Sequence, residues 1–366
     1  MKVGLRRLLL GVLLGVLLYG AAVAYTGYQR VHLALDSFHW SAFAAAICLA
    51  SLNYCLRFGK WQYYLRRLGV TGVPAGESAL VFLSGFVLTI TPGKLGEVFK
   101  SAVLARTHGV PAERTAPIVV AERLTDVIAI VVWVVVGSTG FHGGSYWAAL
   151  GALAVAVGLV CILWEPPVRS LLRRIEQGRW SHLAPKLSAA YASLRVVASP
   201  SALGWPVLLS LIGWGLEGVG LHALLAGFGH APALSFSMFF YATATLAGAL
   251  VPVPGGLGVT EAIIHQQLVS IAGAPEPVAA ASMILIRLAT LWWAVLVGFC
   301  ALGWLRVRFP TQLEQGQGLP ASQGLQPRGP APREGRDETR EPAAREPAAS
   351  PESEPPKPTL GSSGLL

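Results

Sequence analysis

From Gly218 to Thr260 the chain contains no Asp, Glu, Lys or Arg. A helix needs about 20 apolar residues to cross a hydrocarbon core. A water-soluble domain carries about 25% charged residues and seldom goes so far without one. The whole chain of 366 residues is 53% hydrophobic and 13% charged. This composition argues against water-soluble folding. The expected class is an all-α polytopic membrane protein, in which each helix satisfies its own backbone groups within the bilayer.

Apolar spans recur at about 40–58, 116–136, 146–164, 203–226 and 279–303. At the N-terminus, Lys2, Arg6 and Arg7 precede the apolar run Leu8 to Tyr25, and Ala22-Val23-Ala24 resembles a signal cleavage site. The run is long for a signal core of 7–15 residues and reads as a retained first helix. Two further segments, 78–105 and 235–272, are apolar but interrupted. Pro92-Gly93-Lys94-Leu95-Gly96 breaks the first, and Pro252-Val253-Pro254-Gly255-Gly256-Leu257-Gly258 breaks the second. Proline removes a donor and glycine loosens the helix, so each segment is expected to form two half-helices meeting at a turn. The reading is about six transmembrane helices plus two re-entrant Pro-Gly hairpins.

Basic residues set the orientation. With both broken segments returning to the side they entered from, Lys2, Arg6 and Arg7 face inward. So does the 57–115 region, with Arg57, Lys60, Arg66, Arg67, Lys94, Lys100, Arg106 and Arg114. The 165–202 loop and Arg306 and Arg308 follow on the same side, while the opposite side receives only Arg30. This arrangement obeys the positive-inside rule and predicts cytoplasmic termini in a plasma membrane protein. The 165–202 loop reads either as a solvated basic loop or, in part, as an amphipathic surface helix. Residues 309–366 are rich in Pro, Gly, Glu and Arg and are expected to be a disordered cytoplasmic tail.

The chain repeats itself. Pro92-Gly93-Lys94-Leu95-Gly96 matches Pro254-Gly255-Gly256-Leu257-Gly258 at an offset of 162. Gly109-Val110-Pro111 matches Gly273-Ala274-Pro275 at 164, and Arg123-Leu124 matches Arg287-Leu288 at the same offset. Leu68-Gly69 matches Phe228-Gly229 at 160, which sets Arg57 opposite Glu217. The membrane region 1–308 thus holds repeat one at about 40–136 and repeat two at about 203–303. Span 146–164 between them supplies the crossing that inverts the second. Inverted repeats with broken helices are a recurring transporter plan.

Charge within a span costs roughly 2.5–3.5 kcal/mol at a helix centre. The candidates that need a reason are Arg57, Glu122, Arg123, Asp126, Glu217 and Arg287, with Lys94, Glu97 and Glu261 beside the turns. Arg123 and Arg287 offer planar forks suited to phosphate. They serve equally as partners for Glu122, Asp126, Glu217 or Glu261. The turns at Pro92, Gly93 and Gly96 and at Pro254, Gly255, Gly256 and Gly258 permit tight reversal, and a half-helix N-terminus there attracts anions. Cys48, Cys55, Cys161 and Cys300 lie in apolar segments without a CxxC pair, and the histidines form no metal motif. No nucleotide-binding loop, catalytic elbow or cofactor motif is present, and no basic, aromatic-interleaved module suggests nucleic acid.

PGKLGEVFKS, GVPAERT and ERLTD between Pro92 and Asp126 resemble the lysylphosphatidylglycerol synthase transmembrane region, also described as a flippase-like family. PVPGGLGVTE and IRL between Pro252 and Arg287 resemble its second signature, and Asn53-Tyr54 with Arg57 the usual start of the first. The similarity covers about residues 5–308. It implies a membrane bundle with re-entrant helices that translocates lipid, without a cofactor. Related members are linked to aminoacylated phosphatidylglycerol, polyprenyl-phosphate sugars and hopanoids. The resemblance departs after the membrane region, where a tail stands in place of the soluble synthase domain, so aminoacyl transfer from tRNA is not expected. The expected substrate is an anionic or zwitterionic phospholipid or a polyprenyl-linked glycan. The alternatives are a non-transporting accessory protein, partnering a lipid-modifying enzyme or glycosyltransferase, and an intrinsic membrane enzyme of lipid modification.

Overall fold

Each long apolar stretch becomes a helix whose small residues decide where it can be approached. The computed structural model describes residues 34–91, 97–138, 165–178, 181–251 and 253–310, with His32, Ala149, Leu153 and Val157. The N-terminal run, span 146–164 apart from those three residues, turn residues 92–96 and the tail beyond 310 lie outside the described residues. Every described element is helical, and all belong to the unit Met1–Gln317.

Helix α1 runs Trp40–Arg67, well past the expected end at 58. Its 28 residues reach about 42 Å at 1.5 Å per residue. Long side chains such as Lys60 and Tyr64 let it continue, because both are buried against neighbours rather than placed in a loop. Gly69, at φ 65°, ends it, and Val70 N–H bonds the Leu65 carbonyl. Then α2, Ala75–Ser84, extends through a 3-10 turn, Gly85–Leu88. Helix α3, Phe99–His108, packs against α2. After the single turn α4, Ala112–Thr115, comes α5, Pro117–Ser138, a 22-residue helix that carries Glu122, Arg123 and Asp126.

Two peripheral helices, α6 (Glu165–Glu176) and α7 (Ala184–Val197), precede the second half. Proline at its first turn starts α8, Pro200–Gly227. Then α9, Leu234–Leu250, meets α10, Val259–Ser270, across a turn at Pro254–Gly256. Finally α11, Glu276–Arg287, passes through a π turn, Leu288–Trp292, into α12, Trp293–Arg308. Among the described residues, Trp40–Arg67, Pro200–Gly227 and Glu276–Arg308 are long and apolar enough to cross a membrane. Ala75–Leu88 and Leu234–Leu250 are apolar but shorter.

The leading helices of the two halves, α1 and α8, pack antiparallel. Gly213, Gly220 and Gly227 recur every seven residues along α8, two helical turns apart, and keep one edge bare. Asn53 lies over Gly213, Ala46 near Gly220, and Ala42 and Phe38 over Gly227. The contact residues fall in α1 as they rise in α8. Asn53 and Gly213 are themselves 160 apart, the offset of the repeat, so the helices cross at equivalent points. Close approach through small residues is how helices associate where lipid offers no hydrophobic drive.

The halves also interlock. Helix α5 of the first half packs on α9 of the second, with Gly137 against Phe239. Helix α12 of the second half packs on α2 and its 3-10 extension in the first, with Gly298 against the Phe86–Val87 backbone. Both main apolar cores therefore draw on both halves: Ile130 and Val134 join Leu221, Phe240 and Ile286 in one. Ala294 and Leu305 join Trp61, Phe82 and Leu104 in the other.

Candidate functional site

Five acids and five bases are drawn together inside this bundle. Helix α1 contributes Arg57 and Lys60, one turn apart on one face. Glu97, just before α3, is almost fully buried and receives two guanidinium groups. Arg57 Nη2 donates to Glu97 Oε1 and Oε2 at 3.2 and 3.3 Å. Arg123 Nη2 donates to Glu97 Oε2 at 3.1 Å and lies 3.1 Å from Asp126 Oδ2. Lys60 Nζ reaches Asp126 Oδ1 at 2.7 Å and Ser210 Oγ at 2.7 Å. Lys100 Nζ meets Glu122 Oε2 at 2.5 Å and lies over the rings of Trp61 and Phe82. Buried charges persist only when paired in this way, because removing one partner strands the other in a medium without water.

The second half repeats the central pair. Glu261 and Arg287 are each 164 residues beyond Glu97 and Arg123. Arg287 Nε donates to Glu261 Oε1 at 2.6 Å, and its Nη2 donates to the Gly255 carbonyl at 2.9 Å. Glu261 Oε2 accepts the Gly258 N–H at 2.7 Å. The sequence offered the start of α10 both as a tight turn and as a place to attract a phosphate. Its first donor is instead taken by the helix's own glutamate, which satisfies the end in the manner of a capping box. Gly255, Gly256 and Gly258 all have positive φ, which side chains with a Cβ adopt at a cost.

The flanking pairs are not repeated. Lys100 and Glu122 correspond at 164 to Ile264 and Ile286, both fully buried in an apolar core. Lys60 corresponds at 160 to Gly220, and Asp126 at 164 to Thr290. One half has an ionic interior where the other has an apolar one.

Between the halves lies a cavity of about 80 Å³. Arg57, Glu217 and Arg287 bring charge to it, and Gly255 and Gly256 bring turn backbone. Glu217 Oε1 accepts Asn53 Nδ2 at 2.5 Å, and Oε2 accepts the Tyr241 hydroxyl. Tyr54 donates to the Thr290 carbonyl at 2.7 Å, in the π turn. The segment after α2 reaches the same place: Thr89 lines the cavity, and the Ile90 Cα lies where a Cβ on Gly255 would be 3.4 Å away.

This fold has a known counterpart in sequence. Residues 8–298 match the family described as the lysylphosphatidylglycerol synthase TM region. The chain belongs to that family. No curated protein matches it. Lysylphosphatidylglycerol synthase TM regions are membrane proteins linked to lipid metabolism, and the apolar helices place this chain in a membrane.

Within this member of the lysylphosphatidylglycerol synthase TM family, the charges singled out in the sequence fall into two groups. Arg57, Glu217 and Arg287 line the cavity. Glu97, Arg123 and Asp126 form the ion network behind it, joined to the cavity through the Arg57–Glu97 contact, and Glu122 pairs with Lys100. Glu261 holds Arg287 and the α10 terminus. Pro254, Gly255, Gly256 and Gly258 form the second turn. Lys94, Pro92, Gly93 and Gly96 lie outside the described residues. Sequence reading assigned Lys60 and Lys100 to an aqueous face, yet both are buried ion-pair partners. Lys60 stands one turn after Arg57, and a helix continued by that turn would have marked it. Asn53 stood out only through its motif with Tyr54 and Arg57, and Tyr241 and Ser210 carried no comparable signal.

Proposed function

We propose that this protein is a flippase-like lipid translocator, moving the headgroup of a phospholipid or lipid-linked substrate between leaflets while its acyl chains stay in lipid. The observation that carries this reading is the cavity with Arg57, Glu217 and Arg287 on its walls, set between elements of both halves. A wet, charged chamber inside an apolar bundle is costly to maintain. Inverted repeats commonly hold substrate where their broken helices meet. Two guanidinium groups suit phosphate oxygens.

In this reading the segments 78–105 and 235–272 are re-entrant hairpins entering from opposite faces of the plasma membrane, with both termini cytoplasmic. Glu97, Glu122, Arg123 and Asp126 keep Arg57 in place. The antiparallel α1–α8 pair and the exchange of closing helices between halves support an inverted arrangement. Rocking about the Asn53–Gly213 crossing would open the cavity to each side in turn.

The test is leaflet-resolved transport. Purified protein in proteoliposomes should equilibrate acyl-labelled phospholipid between leaflets faster than empty vesicles do. Absence of protein-dependent redistribution across a panel of anionic, zwitterionic and polyprenyl-linked lipids would refute the translocator. The accessory reading would then be favoured.

A further inference from the structure

Arg57 and Glu217 occupy matching positions in the two halves, and both line the same cavity. The repeat has therefore placed opposite charges at equivalent points of one chamber. Among the described residues Arg57 makes its ion pairs through Nη2, which leaves the N–H groups of Nε and Nη1 for a ligand. Arg287 adds a second guanidinium. Each Glu217 oxygen accepts one bond, from Asn53 or from Tyr241, and a carboxylate oxygen can accept two. Tyr54, Trp214 and Tyr241 line the cavity with it, the latter two with ring centroids 6.4 Å apart. Aromatic rings beside a carboxylate attract a cationic nitrogen.

Charge sets the choice: two guanidinium groups and one carboxylate face the same chamber.

We infer that the cavity is a dipolar site for a zwitterionic headgroup of phosphoethanolamine type, with the phosphate toward Arg57 and Arg287 and the ammonium toward Glu217. This rests on the translocator reading and names its substrate class.

Binding and transport are tested separately so that the two readings fail separately. Full-length protein in a maltoside detergent is titrated calorimetrically with phosphoethanolamine, inorganic phosphate and ethanolamine. Phosphoethanolamine should bind about tenfold or more tightly than either fragment, as expected for one added charged hydrogen bond. Glu217→Gln should remove its advantage over phosphate. Trp214→Leu keeps the Glu217 carboxylate and should reduce the same advantage, which covers the case of a poorly folded Glu217→Gln. Phosphate binding as tightly as phosphoethanolamine overturns the dipolar site. In vesicles, acyl-labelled phosphatidylethanolamine should outpace labelled phosphatidylglycerol, with the preference lost in Glu217→Gln. Equal rates for both lipids sink the dipolar site and leave the translocator standing. Phosphoethanolamine binding without movement of any lipid sinks the translocator and leaves the site.

Discussion

Lys100 and Glu122 form a buried ion pair at 2.5 Å where the second half of the chain places Ile264 and Ile286. The molecule thus contains both solutions to one packing problem. Removing one member of a buried pair costs about 3–5 kcal/mol, whereas replacing both by apolar residues is often neutral or stabilising. Lys100→Ile or Glu122→Ile alone should sharply lower the unfolding midpoint in detergent. The double variant should recover most of the loss. A double variant as unstable as the worse single one would show that the pair is needed for more than neutralisation.

Arg287 is bound to the turn it faces. Arg287→Ala removes the guanidinium bond to Glu261 and the bond to the Gly255 carbonyl, a loss of about 3–5 kcal/mol. Adding Glu261→Gln should restore folding, read by denaturant titration, but not lipid transport. Recovered transport in that double variant would remove Arg287 from the headgroup site.

Two glycines in α12 should respond in opposite ways. A Cβ on Gly298 would meet the Val87 nitrogen at 2.5 Å and the Phe86 carbonyl carbon at 2.9 Å, backbone atoms that cannot swing aside. Gly298→Ala should cost about 1–3 kcal/mol as overpacking. Gly303 has nothing within 4 Å, so Gly303→Ala should gain up to about 1 kcal/mol of helix propensity. Thermal unfolding of both variants in one detergent provides the comparison.

The inverted arrangement has its own measurement. With Cys48, Cys55, Cys161 and Cys300 replaced, single cysteines near Arg114 and Pro275 should be labelled from the cytoplasmic and outer sides respectively. Labelling of both from one side would rule out inversion of the second half.

Much of the bundle was legible because the membrane simplifies the code. Apolar runs gave α8, α9 and the joined α11–α12 nearly at their ends, and the Pro254-Gly255 break fell where α9 and α10 meet. The register of the motifs paired Arg123 with Arg287 before any coordinates. Lys60 and Lys100 were hidden by that same simplification. A lysine near the end of an apolar run looks like a boundary, and only the acid on another helix shows otherwise. Asp126 is 66 residues from Lys60 and Glu122 is 22 from Lys100, so local pattern cannot join them. Tyr241 and Ser210 escaped notice because a neutral polar side chain costs too little in a helix to require explanation.

The π turn at Leu288–Trp292 fixes the phase of everything after it. An α-helix turns about 100° per residue, whereas a π turn takes up one extra residue within a single wider turn. Gly298 faces the Phe86–Val87 backbone in this phase. The same five residues, Leu288 to Trp292, wound as regular α-helix would swing the face of α12 by about a quarter turn. A bulkier neighbour of Gly298 would then be driven into the turn of the other half. The bulge therefore sets the register in which one half's closing helix meets the Phe86–Val87 turn of the other.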